Sequence, residues 1–288
     1  MAPTGKRLHP TKGGFAMPIK LIAVDMDGTL LNTDKVITPR TKRLLRKLSA
    51  RGHLVVLASG RPSRALYRYY DELKLNSPLV CYNGAFVFHP KDDAFPRVEF
   101  EFPKEVVKEL FNKLRPYVKN IMCENDTDIW IYSEDLYLAK FFWYEGMNMH
   151  YGDLEETLDV NPMTMILQTN KDNLDEQSIR RIVGQFPQLD VRFWFGLSYF
   201  EIFYKTVSKG SALTQIANYY GIPKEDIIAF GDAENDIDMF AVSGISVAMK
   251  NGGPDIIKNA HRVSVKDNDN EGIYHTLKQI LKEVKNRR

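Results

Sequence analysis

The sequence predicts an α/β fold, in which a doubly wound, Rossmann-like parallel-sheet domain carries an inserted α+β domain. The first observation is a series of short apolar segments with the character of strands buried on both faces. They lie at residues 21–24, 54–58, 79–82 and 227–231. Helical patterns separate the first three, and this strand–helix–strand order is typical of parallel sheets with right-handed crossovers.

The second observation is a change in the sequence pattern near residue 86, where segments of alternating apolar and polar residues, typical of hairpins, replace the continuous apolar runs. The original pattern resumes after residue 204. We therefore predict a parallel-sheet domain from residues 17–85 and 205–288, with residues 86–204 forming the insertion. Residues 1–16 are rich in Lys, Arg, Gly and Pro, and we interpret them as a disordered extension.

The remaining elements follow from capping residues and apolar periodicity. Thr38 is placed to cap a helix with Pro39 at its first position, and Gly52 follows its end. Further helices are predicted at 65–75, 105–114, 176–186, 210–220 and from 273. Further strands are predicted at 97–102, 129–132, 163–167, 191–195, 200–203 and 245–249.

Composition is ordinary for a soluble globular protein. The chain has 288 residues, of which 44% are hydrophobic and 26% charged, with a net charge of +2. No charge excess indicates nucleic acid or a membrane as partner, and no apolar run reaches the roughly 20 residues of a membrane span. The cysteines Cys81 and Cys123 cannot form a disulfide framework, so a reducing cytoplasm is the simplest interpretation.

An acidic pair, Asp25 and Asp27, ends the first apolar segment. Side chains two apart on extended backbone point the same way, so we expect both carboxylates in one small volume. Such like charges repel each other, and they are typical of a site that needs a cation or a proton shuttle. Ordinary turn chemistry remains an equal alternative. A calcium loop does not fit, because its twelfth position is Val36.

Each of the four buried strands ends in polar residues: Asp25 with Asp27, then Ser59, Asn83 and Asp232. The carboxyl ends of parallel strands share one edge of the sheet, which is where α/β proteins bind ligands. The sequence therefore predicts one crevice assembled from distant segments.

The carboxylates at these ends offer hard oxygen ligands without a His or Cys cluster, which favours Mg²⁺ over zinc. Asp232 and Asp236 have helix capping as the alternative interpretation. Lys209 opposes the dipole of the helix that it begins, so an anion beside it would compensate, although a solvated lysine is the alternative. Ser59 and Gly60 could bind phosphate through a hydroxyl and N–H groups, or form a plain N-cap.

A carboxylate nucleophile, a hard divalent ion and groups for a tetrahedral anion together indicate phosphoryl transfer through an aspartyl-phosphate. At these residues the chain resembles the haloacid dehalogenase superfamily. The matching motifs are Asp25-Met26-Asp27-Gly28-Thr29, Ser59-Gly60-Arg61, Lys209-Gly210 and Gly231-Asp232-Ala233-Glu234-Asn235-Asp236. The turn Asn83-Gly84-Ala85 and the large insertion are similar to its Cof-type sugar-phosphatase branch. Lys250 and Gly252 depart from the Met-Gly-Asn-Ala run that is usual in that branch.

The resemblance implies roles for these residues. Asp25 would attack phosphorus, and Asp27 would protonate the leaving alcohol and then activate water. Mg²⁺ would be bound by Asp25, the backbone carbonyl of Asp27 and Asp232, with Asp236 positioning the metal's waters. Substrate phosphate would be held by Met26, Ser59, Gly60, Lys209 and Asn235.

The resemblance also implies that the insertion is a cap, and that the aromatic residues Trp130, Phe141, Trp143 and Trp194 belong to its core. The predicted partner is a small phosphorylated metabolite, with the enzyme a monomer or weak homodimer. A hexose-phosphate mutase of the same architecture remains an alternative. An Asp-phosphorylated signalling receiver is the alternative from another class, although a receiver has no large insertion and its acceptor lies on a later strand.

Overall fold

The computed structural model describes residues 20–170, 175–194 and 196–286, and the predicted extension 1–16 lies outside them. By their internal contacts, the described residues form two compact units. The first consists of residues 20–60, 66–97 and 208–286, and the second of residues 61–65 and the described part of 98–207.

The strands are β1 (Leu21–Val24), β2 (Leu54–Ala58), β3 (Leu79–Cys81), β4 (Phe86–Phe88), β5 (Val98–Glu99), β6 (Val118–Glu124), β7 (Asp128–Ile131), β8 (Asn148–Tyr151), β9 (Thr164–Thr169), β10 (Leu189–Phe193), β11 (Tyr199–Tyr204), β12 (Ile227–Gly231), β13 (Ile245–Ala248) and β14 (Arg262–Val263). The α-helices are α1 (Pro39–Ser49), α2 (Ser63–Glu72), α3 (Lys104–Leu114), α4 (Leu136–Phe142), α5 (Leu154–Thr157), α6 (Glu176–Val183), α7 (Lys209–Tyr220), α8 (Ile237–Ala241), α9 (Pro254–Asn259) and α10 (Gly272–Asn286).

The sheet of the first unit orders its strands β14-β13-β12-β1-β2-β3-β4. All neighbours from β14 to β3 pair in parallel, and β4 is antiparallel to β3. Every residue of β1, β2, β3 and β12 is buried, as the continuous apolar runs predicted. The parallel-sheet α/β class is therefore confirmed, and the four strands end at the same edge.

Capping fixes the helix that begins with Lys209. The Ser208 hydroxyl accepts a hydrogen bond from the Ser211 N–H at 3.1 Å, and the Ser208 N–H donates to the Ser211 hydroxyl at 3.0 Å. This reciprocal pair starts α7 one residue earlier than predicted. The first helix differs from its prediction in another way: the Thr38 hydroxyl donates to the Thr41 hydroxyl at 2.9 Å and does not cap the backbone.

The second unit is a six-stranded sheet in the order β10-β11-β9-β6-β7-β8, antiparallel except for the β7–β8 pair. Helices α3 and α6 supply the apolar side chains that pack with one face of this sheet. Trp130 belongs to this core, as predicted, with 1% exposure. Trp143 does not, since it ends α4 in a left-handed conformation and is 39% exposed. Phe141 and Trp194 are half-buried in a separate aromatic cluster.

The strand predicted at 97–102 shrinks to the two residues of β5. Strand β6 and helix α4 were not predicted. In the part of the chain that the structure describes, no helix combines the length and the apolar character required to cross a membrane.

Candidate active site

Acidic and basic side chains from three distant segments meet beyond the ends of β1 and β12. The Lys209 Nζ donates to Asp25 Oδ1 at 2.6 Å and to Asp236 Oδ1 at 2.7 Å. Carboxylate oxygens of Asp25, Asp232 and Asp236 lie within 4.8 Å of one another. The structure therefore brings together Asp25 and Asp232, the ends of two of the four strands, as the strand order predicted.

When all three carboxyl groups are ionised, the cluster carries an excess of two negative charges, because three carboxylates share one ammonium. Burial raises the pKa of Asp25 well above its ordinary value; Lys209 opposes this, and Asp236 and Asp232 add to it. Burial, and then the Asp236 charge, raise the pKa of Asp232 to about 6. Burial is the first cause of both shifts, and the charges of neighbouring carboxylates add to it.

Lys209 is fully buried in the first turn of α7. Burial alone would lower the pKa of its ammonium, but the carboxylates of Asp236 and Asp25 together raise it above the ordinary value. The anion expected beside this lysine is thus supplied by the protein itself. A solvated surface lysine, the alternative left open by the sequence, is wrong.

The Asp232 carboxylate is placed by two residues of the first motif. The Thr29 hydroxyl donates to Asp232 Oδ1 at 2.7 Å. Gly28 has φ +75°, and a Cβ on it would lie 2.2 Å from Asp232 Oδ2. A glycine is therefore required beside this carboxylate. The sequence analysis identified Thr29 only as the last residue of the first motif. Its hydrogen bond to Asp232 could not be predicted from the sequence.

Both carboxylate oxygens of Asp236 accept hydrogen bonds from other groups of the protein. Oδ1 accepts from Lys209, while Oδ2 accepts from the backbone N–H groups of Asp232 at 2.9 Å and Ala233 at 3.1 Å. It therefore organises the loop after β12. Asp236 is also one of the three carboxylates whose oxygens could hold a metal ion.

The remaining donors fit a divalent cation. The cluster offers buried carboxylate oxygens, which are the hard ligands that Mg²⁺ takes. With all three carboxyl groups ionised, its two excess negative charges are the complement of a dication. The described cluster of Asp25, Asp232 and Asp236 can hold a metal ion.

The Asp27 carboxylate lies near enough to Asp232 for its charge to raise the pKa of that group, but it has a partner of its own. Its Oδ1 accepts from the Lys35 Nζ at 2.7 Å, and its carboxylate is not part of the three-carboxylate cluster. Strand β1 ends at Val24, so the alternation of an extended strand does not extend to Asp27. Lys35 was missed by the sequence analysis, because its approach depends on how the loop after β1 folds.

The residues predicted to hold phosphate lie on neighbouring loops. The Asn235 side-chain amide donates to Asn83 Oδ1 at 2.9 Å, and the Asn83 N–H donates to the Ser59 carbonyl at 2.9 Å. Ser59 is not an N-cap, since α2 begins at Ser63. The Met26 side chain is fully buried, which leaves its backbone as the part that could meet a ligand.

Gly60 borders the Asn83 amide, from which a Cβ on the glycine would lie 3.2 Å away. Arg61, the next residue, groups with the second unit. Its guanidinium lies 5.4 Å from the centre of the Phe141 ring.

Comparison with known proteins places this site in a family. The family of haloacid dehalogenase-like hydrolases matches residues 22–277. The chain is 35% identical over 265 residues to a 5-amino-6-(5-phospho-D-ribitylamino)uracil phosphatase of Bacillus subtilis, covering 91% of this chain and 97% of the relative. A phosphatase of Escherichia coli with the same stated substrate is 27% identical over 273 residues, covering 92% of this chain and 97% of the relative. A solved Thermotoga maritima structure superposes with a TM-score of 0.74 at 27% identity, covering 91% and 97% of the two chains.

The chain therefore belongs to the haloacid dehalogenase-like hydrolases, and the resemblance noted in the sequence is confirmed. Within that family it is an enzyme, a phosphatase of the Cof type.

Proposed function

We propose that the enzyme hydrolyses a small phosphomonoester with the help of Mg²⁺, through an aspartyl-phosphate on Asp25. The observation that carries this proposal is the buried Lys209 ammonium between Asp25 and Asp236 at the strand ends. The positive charge of Lys209 reduces the repulsion between the Asp25 carboxylate and an approaching anionic phosphate.

In the first step Asp25 Oδ forms a bond to phosphorus, and the bond from phosphorus to the ester oxygen breaks. Asp27 gives its proton to the departing alcohol. In the second step Asp27, now a carboxylate, removes a proton from water, whose oxygen attacks phosphorus and releases Asp25 and inorganic phosphate. Lys35, which contacts the Asp27 carboxylate at 2.7 Å, is placed to hold that group.

Mg²⁺ would be held by Asp25, the backbone carbonyl of Asp27 and Asp232, while Asp236 orients water around it. When bound, the ion neutralises phosphate charge and aligns the ester with the nucleophile. The protein's own contribution to phosphate binding comes from Ser59, Gly60, Lys209, Asn235 and the backbone of Met26.

The substrate belongs to the small phosphorylated metabolites. The Bacillus subtilis relative, at 35% identity, is named for a phosphorylated ribitylamino-uracil, so we propose this compound as the first candidate. A panel of phosphorylated sugars, nucleotides and cofactor precursors should be tested beside it. Phosphate release without an isomerised sugar phosphate would separate hydrolysis from mutase activity.

The nucleophile is tested with Asp25→Asn, with Asp255→Asn as a matched control because the Asp255 side chain is 92% exposed. Wild type and control, quenched during turnover of a ³²P-labelled substrate, should carry an acid-stable, hydroxylamine-labile label. Asp25→Asn should carry no label and should not turn over p-nitrophenyl phosphate, while its circular dichroism is unchanged. Substantial turnover by the purified, folded variant would refute the role of Asp25.

A further inference from the structure

The turn between β3 and β4 has an unusual backbone. Tyr82, Asn83 and Gly84 have φ angles of 47°, 54° and 106°, which places three consecutive residues in the left-handed region. This region is unfavourable for residues with a Cβ, except for Asn and Asp, which tolerate it better. Surrounding contacts must therefore hold the turn in place.

The turn touches all three loops that carry the proposed phosphate-binding side chains. The Asn83 N–H donates to the Ser59 carbonyl at 2.9 Å, and Asn83 Oδ1 accepts from Asn235 Nδ2 at 2.9 Å. At Gly84, an added Cβ would lie 2.4 Å from the carbonyl oxygen of Ser208, the residue that caps α7 before Lys209. No side chain larger than hydrogen fits between Gly84 and the backbone of Ser208.

We propose that Asn83 is a positioning residue for the substrate phosphate, acting through Asn235 and Ser59. The inference rests on the proposed function, which assigns those two residues to phosphate. An asparagine amide can present either its oxygen or its nitrogen to a ligand. By accepting from Asn235 Nδ2, the Asn83 oxygen fixes this choice and holds the Asn235 amide in one orientation.

Two requirements explain why asparagine occupies this position. The backbone needs a residue that tolerates φ 54°, and the Asn235 N–H needs an acceptor. Space for the amide comes from Gly60, because a Cβ there would lie 3.2 Å from both amide atoms of Asn83. Glycine at position 83 would meet the first requirement without the second. Asn83→Gly therefore removes the amide and leaves the turn in an allowed conformation.

The test measures the inhibition constant of inorganic phosphate, with Mg²⁺ present and p-nitrophenyl phosphate as substrate, together with thermal unfolding. The variants are Asn83→Gly, Asn235→Ala and the double variant. We expect Asn83→Gly to raise the inhibition constant about tenfold, and the double variant to be no worse than Asn235→Ala. A merely structural residue would give additive losses, because its effect would not pass through Asn235.

Asn125→Gly serves as a control, since the Asn125 side chain also organises a turn, through the N–H groups of Thr127 and Asp128. It should lower the unfolding temperature without changing phosphate inhibition. An unchanged constant in Asn83→Gly, or fully additive losses, would overturn the positioning role while leaving the proposed function intact. If Asn235→Ala itself leaves the constant unchanged, the assignment of Asn235 in the proposed function fails, and this inference fails with it.

Discussion

Replacing Lys209 with Met should destabilise the metal-free protein severely. Methionine has a similar volume, so packing is largely kept and the ammonium is lost. Lys209 is fully buried and contacts two carboxylates at 2.6 and 2.7 Å. Removing one partner from a buried ion pair costs about 3–5 kcal/mol, because the other charge remains buried without compensation. At roughly 2–4 °C per kcal/mol, the unfolding temperature should fall by roughly 6–20 °C.

The loss of stability in Lys209→Met should depend on pH. The raised pKa values of Asp25 and Asp232 determine whether this loss grows or shrinks as the pH falls. A carboxyl whose pKa is higher in the folded than in the unfolded protein stabilises the fold in its protonated form. That contribution is complete below the unfolded pKa and is lost as pH rises through the folded value, about 6 for Asp232. Removing Lys209 raises these pKa values further, so the deficit at pH 8 should shrink by pH 5.

Thermal unfolding in chelator-treated buffer at pH 5 and pH 8 measures both effects. Lys258→Met is the matched control, because the Lys258 side chain is 76% exposed, and we expect a change within about 0.5 kcal/mol. The double variant Lys209→Met/Asp236→Asn should recover part of the loss. Equal unfolding temperatures for Lys209→Met and Lys258→Met at pH 8, or a deficit that grows toward pH 5, would refute the charge argument.

Three further predictions concern this cluster and the neighbouring Asp27. Asp25→Asn should raise the unfolding temperature of the metal-free protein while abolishing turnover; a lower temperature would contradict the excess of negative charge. Mg²⁺ affinity, measured by calorimetry, should weaken by up to about tenfold per pH unit below pH 6, because protons compete for Asp232; a flat profile would exclude it as a ligand. Lys35→Met should slow alkyl phosphates more than p-nitrophenyl phosphate, whose leaving group needs no proton; equal losses would show that Lys35 does not act through Asp27.

Much of the core was predictable because its signals are local and redundant. Strands β2 and β12 have the predicted bounds, since uniform apolar runs between turn residues admit few other interpretations. The meeting of Asp25 and Asp232 also followed from topology, because parallel strands end at one edge of a sheet. Lys209 begins a helix, and the family resemblance rather than the strand order indicated that it would join them.

What the sequence missed depends on contacts between distant segments. The Lys35–Asp27 pair and the Thr29–Asp232 hydrogen bond arise only once the loops after β1 and β12 have folded together. The inserted unit was harder still. Its strand β6 includes charged residues at positions 119 and 124, which interrupt the apolar pattern, although most of the strand is buried. Propensity alone does not show which neighbours will cover such a strand.

Gly231 shows how closely the backbone approaches the carboxylate cluster. A Cβ on Gly231 would lie 2.3 Å from the Asp236 Cβ, closer than real atoms approach, so Gly231→Ala must move Asp236. Gly221 offers the contrast, because its φ is +64° but nothing lies within 4 Å of an added Cβ. Gly221→Ala should cost only about 1–2 kcal/mol of backbone strain and leave turnover intact.

Gly231→Ala should lower both stability and turnover, because displacing Asp236 disturbs the hydrogen bonds to Lys209 and to the N–H groups of Asp232 and Ala233. Overpacking of this kind costs roughly 1–3 kcal/mol. Denaturant unfolding and steady-state kinetics of the two alanine variants separate the causes. If Gly231→Ala kept wild-type turnover, the position of Asp236 would not matter for catalysis. A loss of turnover confined to Gly231→Ala would mean that the missing side chain is what allows Asp236 to reach the lysine.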